Sequence, residues 1–384
     1  MNNLLNRKNG CWIAGGIPFA SKLDALAHAS KTNTYLRFYF HDHIWESFDR
    51  SILGKNSLQF LYKLRAEQLR DQYDYLILHY SGGADSHNIL HTFLTNSIKL
   101  DEIRVKWPKQ LKDGYNYTPN IVDTTAKNHV SEWNYAIKPV LEKIRLSNPE
   151  IKINFIEYTE NIDRQKIEVE IIEKEVYHMN MIKSSLSSFV QRLNKTVYTQ
   201  FGLKKNEAHI FGTDKPILNV NGNSIEMVFV DHLIENTVFP AGIENPNIEF
   251  FYWTPDFPLL PMEQSYQTAV YLAAHNLLNC IKLENVSPRS ELLKNKKQEL
   301  RQIQRKILYD HSWNNNFQAG KPRALLDDVY FWIYESREFD NLRENFSIAM
   351  KNLFTDIDAR YLLSYDKGTI LSETYTKGFH ILNL

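Results

Sequence analysis

An apolar run that ends abruptly in a glycine-rich turn constrains the fold of this chain more than any other feature of its sequence. Residues 75–80 read Tyr-Leu-Ile-Leu-His-Tyr and predict a β-strand, and residues 87–95 predict a helix. Between them lies Ser-Gly-Gly-Ala-Asp-Ser at 81–86, which we call the glycine loop. α/β proteins build anion sites from a strand, a glycine turn and a helix start in this order. The sequence therefore predicts an α/β fold with a nucleotide site at this loop.

The residue types of the glycine loop favour a phosphorylated ligand together with a metal ion. Gly82 and Gly83 can adopt backbone conformations that other residues reach only under strain, so that successive amides can converge on a phosphate. Ser81 and Ser86 add hydroxyl groups, and Ser86 is the predicted N-cap of the following helix. Because the Asp85 carboxylate would repel a phosphate, we expect Mg²⁺ to lie between the two. The alternative is an ordinary serine–glycine turn between a strand and a helix.

A second candidate segment follows another short apolar run, at residues 208–212. In a parallel sheet the carboxyl ends of the strands meet at one edge, so we expect Gly212 and Thr213 to lie beside the glycine loop. Asp214 can hold Mg²⁺, and Lys215 can neutralise the charge that develops on a leaving pyrophosphate. The alternative is an exposed turn, since Thr-Asp-Lys-Pro is common in turns.

Strand-like runs separated by helical segments predict a parallel sheet with helical crossovers. The predicted strands are 35–40, 75–80, 100–107, 151–158, 208–212 and 225–230. The predicted helices are 57–71, 130–147, 264–283, 287–309 and 325–336, and the segment 162–200 is predicted to contain several helices. We expect an N-terminal cap at 1–72, a nucleotide-binding domain at 73–262 and a mainly helical region at 263–384.

Composition restricts the classes of partner. Among 384 residues, Lys+Arg and Asp+Glu are both 45, so the net charge is zero. This charge balance disfavours strong, sequence-independent binding of nucleic acid, which needs an excess of positive charge. Two cysteines, Cys11 and Cys280, are too few for a disulfide framework, and we expect the reducing cytoplasm. An apolar run long enough to span a membrane is missing from the sequence, and the N-terminus has no signal core, so we expect no membrane partner.

Two other groups of residues each allow a functional and a structural interpretation. His87 and His91 lie four residues apart, but zinc needs a third ligand, and one polar helix face is the favoured reading. The aromatic segment 252–256 and the pair Glu263 and Gln264 are candidates for a pocket for a small polar substrate. A packed connector between regions is the alternative for both.

The glycine loop matches neither the Walker A motif nor the dinucleotide-binding fingerprint. It resembles the Ser-Gly-Gly-x-Asp-Ser signature of the PP-loop, or N-type, ATP pyrophosphatase family. This family includes the asparagine, GMP and NAD synthetases, β-lactam synthetase and tRNA lysidine synthetase. The resemblance is specific in the loop and covers the middle half of the chain by topology. Within this family, the chain most resembles the synthetase domain of asparagine synthetase-like proteins, without a residue-by-residue match in the substrate-binding positions.

The resemblance implies a twisted parallel sheet of the PP-loop type that binds ATP and Mg²⁺ and cleaves ATP between the α and β phosphates. It also implies that adenine lies against the end of the strand at 103–107, which would bring Lys106 near a phosphate and Trp107 near the base. Lys106 as a solvated side chain and Trp107 as plain packing are the alternatives. Family members place a second acidic or Gly-Thr-rich segment opposite the first loop, as 212–215 would be.

We therefore expect an adenylating enzyme that activates a carboxylate or carbonyl of a small-molecule acceptor for attack by an amine. Sulfur transfer is disfavoured, because neither cysteine adjoins a motif. Position 2 is Asn2 rather than the cysteine of a glutaminase domain, so the nitrogen would come from ammonia, a substrate amine or a partner protein. The alternatives are adenylation of a nucleic-acid base, with 294–305 as a basic face, and an ATP-binding regulator without catalysis.

Overall fold

The computed structural model describes residues 2–5, 10–19, 22–108, 136–158, 206–212, 217–231, 247–281, 291–309 and 374–384. Its centre is a five-stranded sheet in which every neighbouring pair is parallel, in the order β10-β7-β4-β5-β6. The five strands are β4 Tyr75–His79, β5 Glu102–Pro108, β6 Lys152–Tyr158, β7 Glu207–Phe211 and β10 Asn247–Phe250. The predicted parallel sheet is confirmed.

Two smaller antiparallel sheets complete the strands that the structure describes. The first has the order β2-β1-β3, and the second has the order β11-β9-β8. Their bounds are β1 Cys11–Ala14, β2 Ile17–Phe19, β3 Leu36–Tyr39, β8 Ile217–Asn221, β9 Ser224–Val228 and β11 Phe379–Asn383. The predicted strand at 225–230 is thus β9, which belongs to this separate sheet. β11 shows that the C-terminal region contributes a strand as well as helices.

Eight α-helices lie in the described part of the chain. They are α1 Asn2–Leu5, α2 Lys22–Thr32, α3 Asp42–Ser47, α4 Leu58–Gln72, α5 Ala84–Thr95, α6 Lys138–Ser147, α7 Leu259–Ala274 and α8 Glu291–Leu308. The prediction of one helix over 264–283 was wrong in its bounds, since α7 begins and ends earlier and a 3-10 turn follows at Leu278–Cys280. The predicted helices at 162–200 and 325–336 lie outside the described residues.

Helix α4 illustrates how the sequence determines these elements. Ser57 is its N-cap, and the Ser57 hydroxyl accepts a hydrogen bond from Phe60 N at 3.2 Å. Leu58, Leu61 and Leu69 are buried, at spacings that place them on one side of the helix. This side packs on β4 and on α5.

Helices α4 and α6 lie on the same face of the central sheet. Arg65 of α4 pairs with Glu249 of β10 at 2.8 Å, and Arg145 of α6 lies over the ring of Phe155 in β6 at 5.7 Å. Strand register puts Glu249, Phe155 and their neighbours Ile210 and Val105 on one side. We call this side the helix-covered face.

Aromatic side chains join the smaller sheets to the centre of the molecule. The ring of Phe229, after β9, lies 4.8 Å from that of Trp45 in α3 and 5.1 Å from that of Trp253, after β10. All three side chains are fully buried. None of the described helices is long and apolar enough to cross a membrane.

Candidate functional site

The glycine loop lies at the carboxyl end of β4, the middle strand of the central sheet. Gly82 has a φ of +77°, a conformation that glycine adopts without strain. Gly83 is the N-cap of α5 and Ala84 is its first helical residue. The predicted N-cap at Ser86 was therefore wrong, because the helix begins two residues before it.

Hydrogen bonds within the loop explain what Ser86 does instead. Ser81 N donates to Ser86 Oγ at 3.2 Å, and Ser86 Oγ donates to Gly83 O at 3.1 Å. Gly83 N in turn donates to Ser81 Oγ at 3.4 Å. Ser86 is 3% exposed, whereas Ser81 is exposed. The buried serine thus ties the two ends of the loop together and leaves Ser81 at the surface.

The start of α5 is an anion-binding geometry. The first hydrogen bond of the helical ladder joins His87 N to Gly83 O at 3.0 Å. The amides of residues 84–86 precede that bond and point out of the helix N-terminus, where the helix dipole also favours negative charge. A phosphate placed there would meet several N–H donors at once.

Gly212, the first residue of the second predicted segment, lies directly against this helix start. A Cβ atom on Gly212 would lie 3.0 Å from Ser86 N and 3.1 Å from both the Asp85 carbonyl carbon and Ile89 Cδ1. Backbone cannot move aside as a flexible side chain can, so a larger residue would displace the loop. The end of β7 and the glycine loop therefore share one edge of the sheet, as the sequence predicts.

The other predicted residues of this segment, Thr213, Asp214 and Lys215, lie outside the described residues. Lys106 lies near the carboxyl end of β5, where its backbone pairs with Ile156. The side chains of Lys106 and Trp107 also lie outside the described part.

Asp85 is half-buried and receives hydrogen bonds from two tyrosines that are distant in sequence. The Tyr309 hydroxyl donates to Asp85 Oδ1, and the Tyr252 hydroxyl donates to Asp85 O at 2.9 Å. Asn88 Nδ2 donates to the Tyr252 oxygen at 3.0 Å, so this tyrosine is held from both sides. Burial, followed by neighbouring charge, raises the pKa of both phenols, which keeps them protonated donors.

Sequence reasoning missed both tyrosine contacts with Asp85. Tyr309 follows an amphipathic helix, and nothing in its local sequence distinguishes it from a core residue. Tyr252 was predicted within a substrate pocket at 252–256, and it lies instead against the start of α5. The signal that was missed is a contact between positions 224 residues apart for Tyr309 and 167 for Tyr252.

The predicted pocket residues Glu263 and Gln264 are engaged inside the protein. Glu263 accepts from Gly54 N at 2.9 Å and from Gln267 Nε2 at 2.8 Å, and Gln264 Nε2 donates to the Tyr62 hydroxyl at 2.9 Å. Both side chains are fully buried. These contacts support the alternative interpretation, in which this region is a packed connector and does not line a substrate pocket.

The histidines near the loop take part in hydrogen bonds with neighbouring side chains. His87 Nδ1 lies 3.1 Å from the Tyr80 hydroxyl, and His79 Nε2 lies 2.9 Å from His209 Nδ1. His209 Nε2 lies 3.1 Å from Glu207 Oε1, and burial lowers the pKa of His209. Among the residues that the structure describes, no three His, Cys, Asp or Glu side chains are grouped to hold a metal ion.

The oxygen atoms at the loop nevertheless suit Mg²⁺ as ligands. Mg²⁺ is usually held by one or two carboxylates together with the phosphates of its substrate, rather than by a complete protein cage. Asp85 supplies a carboxylate beside a phosphate-binding geometry, and the exposed Ser81 hydroxyl supplies a further hard oxygen atom.

Comparisons with protein-family models, with curated proteins and with solved structures gave no match.

Proposed function

We propose that this chain is a Mg²⁺- and ATP-dependent adenylating enzyme of the PP-loop type. It would cleave ATP to AMP and pyrophosphate and activate a carboxylate or carbonyl for attack by an amine. The observation that carries the proposal is the glycine loop: its positive-φ glycine, its serine bridge and the start of α5 lie together at the edge of a parallel sheet. Gly212 against the loop supports it.

The chain's own groups would act mainly by positioning and by charge. The amides of residues 84–86 would hold phosphate oxygens, since they point out of a helix N-terminus. Ser81, exposed at the mouth of the loop, would donate a further hydrogen bond. Gly82 and Gly83 would allow the phosphates to approach the backbone closely.

Asp85 would hold Mg²⁺, which supplies charge neutralisation at the phosphates. Asp214 as a second metal ligand and Lys215 as the group that stabilises leaving pyrophosphate remain predictions, as do Thr213 and Lys106 at the nucleotide. The PP-loop type of the sheet, the N-terminal cap at 1–72, the amine donor and a cytoplasmic location belong to the same proposal.

The test is the formation of AMP and pyrophosphate from ATP labelled at its α-phosphate, with Mg²⁺ and pools of amino acids, nucleosides or tRNA. We expect one pool to stimulate AMP formation. Asp85→Asn should lower that rate by at least about 100-fold, because metal charge stabilisation amounts to several kcal/mol. The matched control is Asp71→Asn, which removes an exposed carboxylate on α4.

Three outcomes separate the candidate functions. AMP formation that requires tRNA would favour base modification. Thermal stabilisation by ATP without AMP formation in any pool would favour a binding protein without catalysis. AMP formation that survives Asp85→Asn unchanged would rule out the proposed role of the loop.

A further inference from the structure

The far end of the chain's long helix α8 reaches the glycine loop. Tyr309 follows α8, and its hydroxyl donates to Asp85 Oδ1, 224 residues away in sequence. Its ring lies 6.0 Å from the ring of Tyr252, centroid to centroid. Tyr252 itself donates to the Asp85 carbonyl oxygen. The carboxylate and the backbone of one loop residue are therefore each held by a tyrosine from a different segment.

The end of α8 is fixed where it meets the loop. The Tyr62 hydroxyl of α4 donates to Leu308 O at 2.7 Å, and Gln264 Nε2 of α7 donates to the Tyr62 oxygen at 2.9 Å. Leu308 is fully buried, and Tyr309 is 5% exposed. Two neighbouring helices thus hold the tyrosine that reaches Asp85.

A buried hydroxyl on one carboxylate oxygen restricts the rotation of that carboxylate and leaves its charge in place. An ionised carboxylate has about four lone-pair positions, of which a single donor takes one. Such a donor is what commonly orients a metal-binding carboxylate, and removing it typically weakens metal binding by about 10–100-fold. At Asp85 the Tyr309 hydroxyl is a donor of this kind, to Oδ1.

We propose that Tyr309 is a positioning residue that orients the Asp85 carboxylate for the divalent cation bound with ATP. The inference rests on the proposed function, because it takes Asp85 to be a metal ligand. It makes Tyr309, from the C-terminal region, a part of the nucleotide site.

The test compares full-length Tyr309→Phe with the native chain. Phenylalanine keeps the ring that packs beside Tyr252 and removes only the hydroxyl. The matched control is Tyr75→Phe, which removes a hydroxyl that donates to a different carboxylate, Glu102, at 3.0 Å. The readout is Mn²⁺ binding, measured by electron paramagnetic resonance with the non-cleavable α,β-methylene analogue of ATP present.

We expect Tyr309→Phe to weaken Mn²⁺ binding by about tenfold. Tyr75→Phe should bind Mn²⁺ as the native protein does, which separates orientation of Asp85 from the loss of a partly buried tyrosine hydroxyl that donates to another carboxylate. Native affinity in a folded Tyr309→Phe variant would overturn the inference, and so would an equal loss in Tyr75→Phe.

If Tyr309→Phe does not fold, Tyr62→Phe takes its place. It leaves the Tyr309 hydroxyl intact and removes the hydrogen bond to Leu308 O, so we expect about threefold weaker Mn²⁺ binding. Unchanged binding in that variant would count against the inference.

Failure of the inference can be distinguished from failure of the proposed function. If the native chain binds no Mn²⁺ with the ATP analogue, both are overturned. If the native chain binds Mn²⁺, Asp85→Asn abolishes the binding and Tyr309→Phe does not change it, only the role of Tyr309 is overturned.

Discussion

The two faces of the central sheet are built from the same strands and differ in chemistry. The helix-covered face carries mostly apolar side chains that are buried: Leu76, Leu78, Ile103, Val105, Ala208 and Ile210. Alternate positions of these strands carry buried polar side chains on the other face: Glu102, Arg104, Asn154, Glu207 and His209. We call that side the polar face. The comparison teaches that burial alone does not identify the stabilising face of a sheet.

Hydrogen bonds within β5 and between β7 and β4 pair several polar side chains of the polar face. Arg104 Nε donates to Glu102 Oε1 along β5, and Glu207, His209 and His79 form a hydrogen-bonded chain from β7 to β4. Burying such groups costs free energy unless they are hydrogen-bonded. The apolar side chains of the opposite face stabilise the fold by leaving water. A substitution should therefore change the free energy of unfolding for a different reason on each face.

The helix-covered face carries the buried pair Arg65 and Glu249, and breaking this pair should have the largest effect on stability. Arg65 and Glu249 are both fully buried and 2.8 Å apart, and the Tyr73 hydroxyl also donates to Glu249. Glu249→Gln should lower the free energy of unfolding by about 3–5 kcal/mol, because it leaves the Arg65 charge uncompensated. Urea denaturation measures this.

The control for this prediction is Glu67→Gln in the half-exposed Lys63–Glu67 pair, whose charged atoms are 3.5 Å apart. Its loss should be below about 1 kcal/mol. If the two variants lost similar amounts of unfolding free energy, the buried Arg65–Glu249 pair would contribute no more to stability than a surface pair.

An apolar truncation in the middle strand should have the next largest effect. Leu78 is fully buried on the helix-covered face, so Leu78→Ala removes packing and leaves a cavity. We expect a loss of about 2–5 kcal/mol in the free energy of unfolding. Leu146→Ala, at a side chain that is 87% exposed, should change it by less than about 0.5 kcal/mol. An equally small loss for Leu78→Ala would show that the apolar face is not the main source of stability.

His209, on the polar face, should make the free energy of unfolding depend on pH. Burial lowers the pKa of His209, against the opposing hydrogen bond to Glu207. Below pH of about 6.5 the unfolded chain therefore binds a proton that the folded chain resists, so stability falls as the pH is lowered. Above that pH the effect of His209 disappears. One such proton changes the free energy of unfolding by at most about 1.4 kcal/mol per pH unit.

Unfolding of the native chain and of His209→Gln in urea at several pH values between 5 and 8 measures this effect. We expect the variant to lose part of the decline below pH 6.5, with His275→Gln, at an exposed position, as the control. The same acid slope in His209→Gln and the native chain would assign the pH dependence to other groups.

The sequence predicts the parts of the molecule that depend on neighbouring residues. The apolar run 75–80 and the glycine pair predict β4 and the loop, and the parallel-strand rule places Gly212 at the same sheet edge. The prediction that Ser86 caps α5 failed because its hydroxyl forms hydrogen bonds with Gly83 and Ser81, which precede it in the loop. The same serine and glycine residues would fit a loop capped at Ser86, so the local sequence does not distinguish the two arrangements.

Contacts between distant positions are not visible in local patterns. Tyr309 reaches Asp85 through the packing of α8 against α7, and β9 pairs with β11 from the other end of the chain. Glu263 and Gln264 have the composition of a pocket, and only their partners Gly54 and Tyr62 show that they are internal. Long-range partners decide these roles, and spacing along the chain does not.

The strand order of the central sheet has a consequence for synthesis on the ribosome. β4 lies between β5 and β7, and His79 and His209, whose side chains are hydrogen-bonded, are 130 positions apart. At about 5–20 residues per second, β7 follows β4 on the order of ten seconds later. Until then one edge of an apolar strand has no partner, and such edges invite pairing with other chains. A chaperone that covers extended apolar segments would protect the nascent chain during this interval.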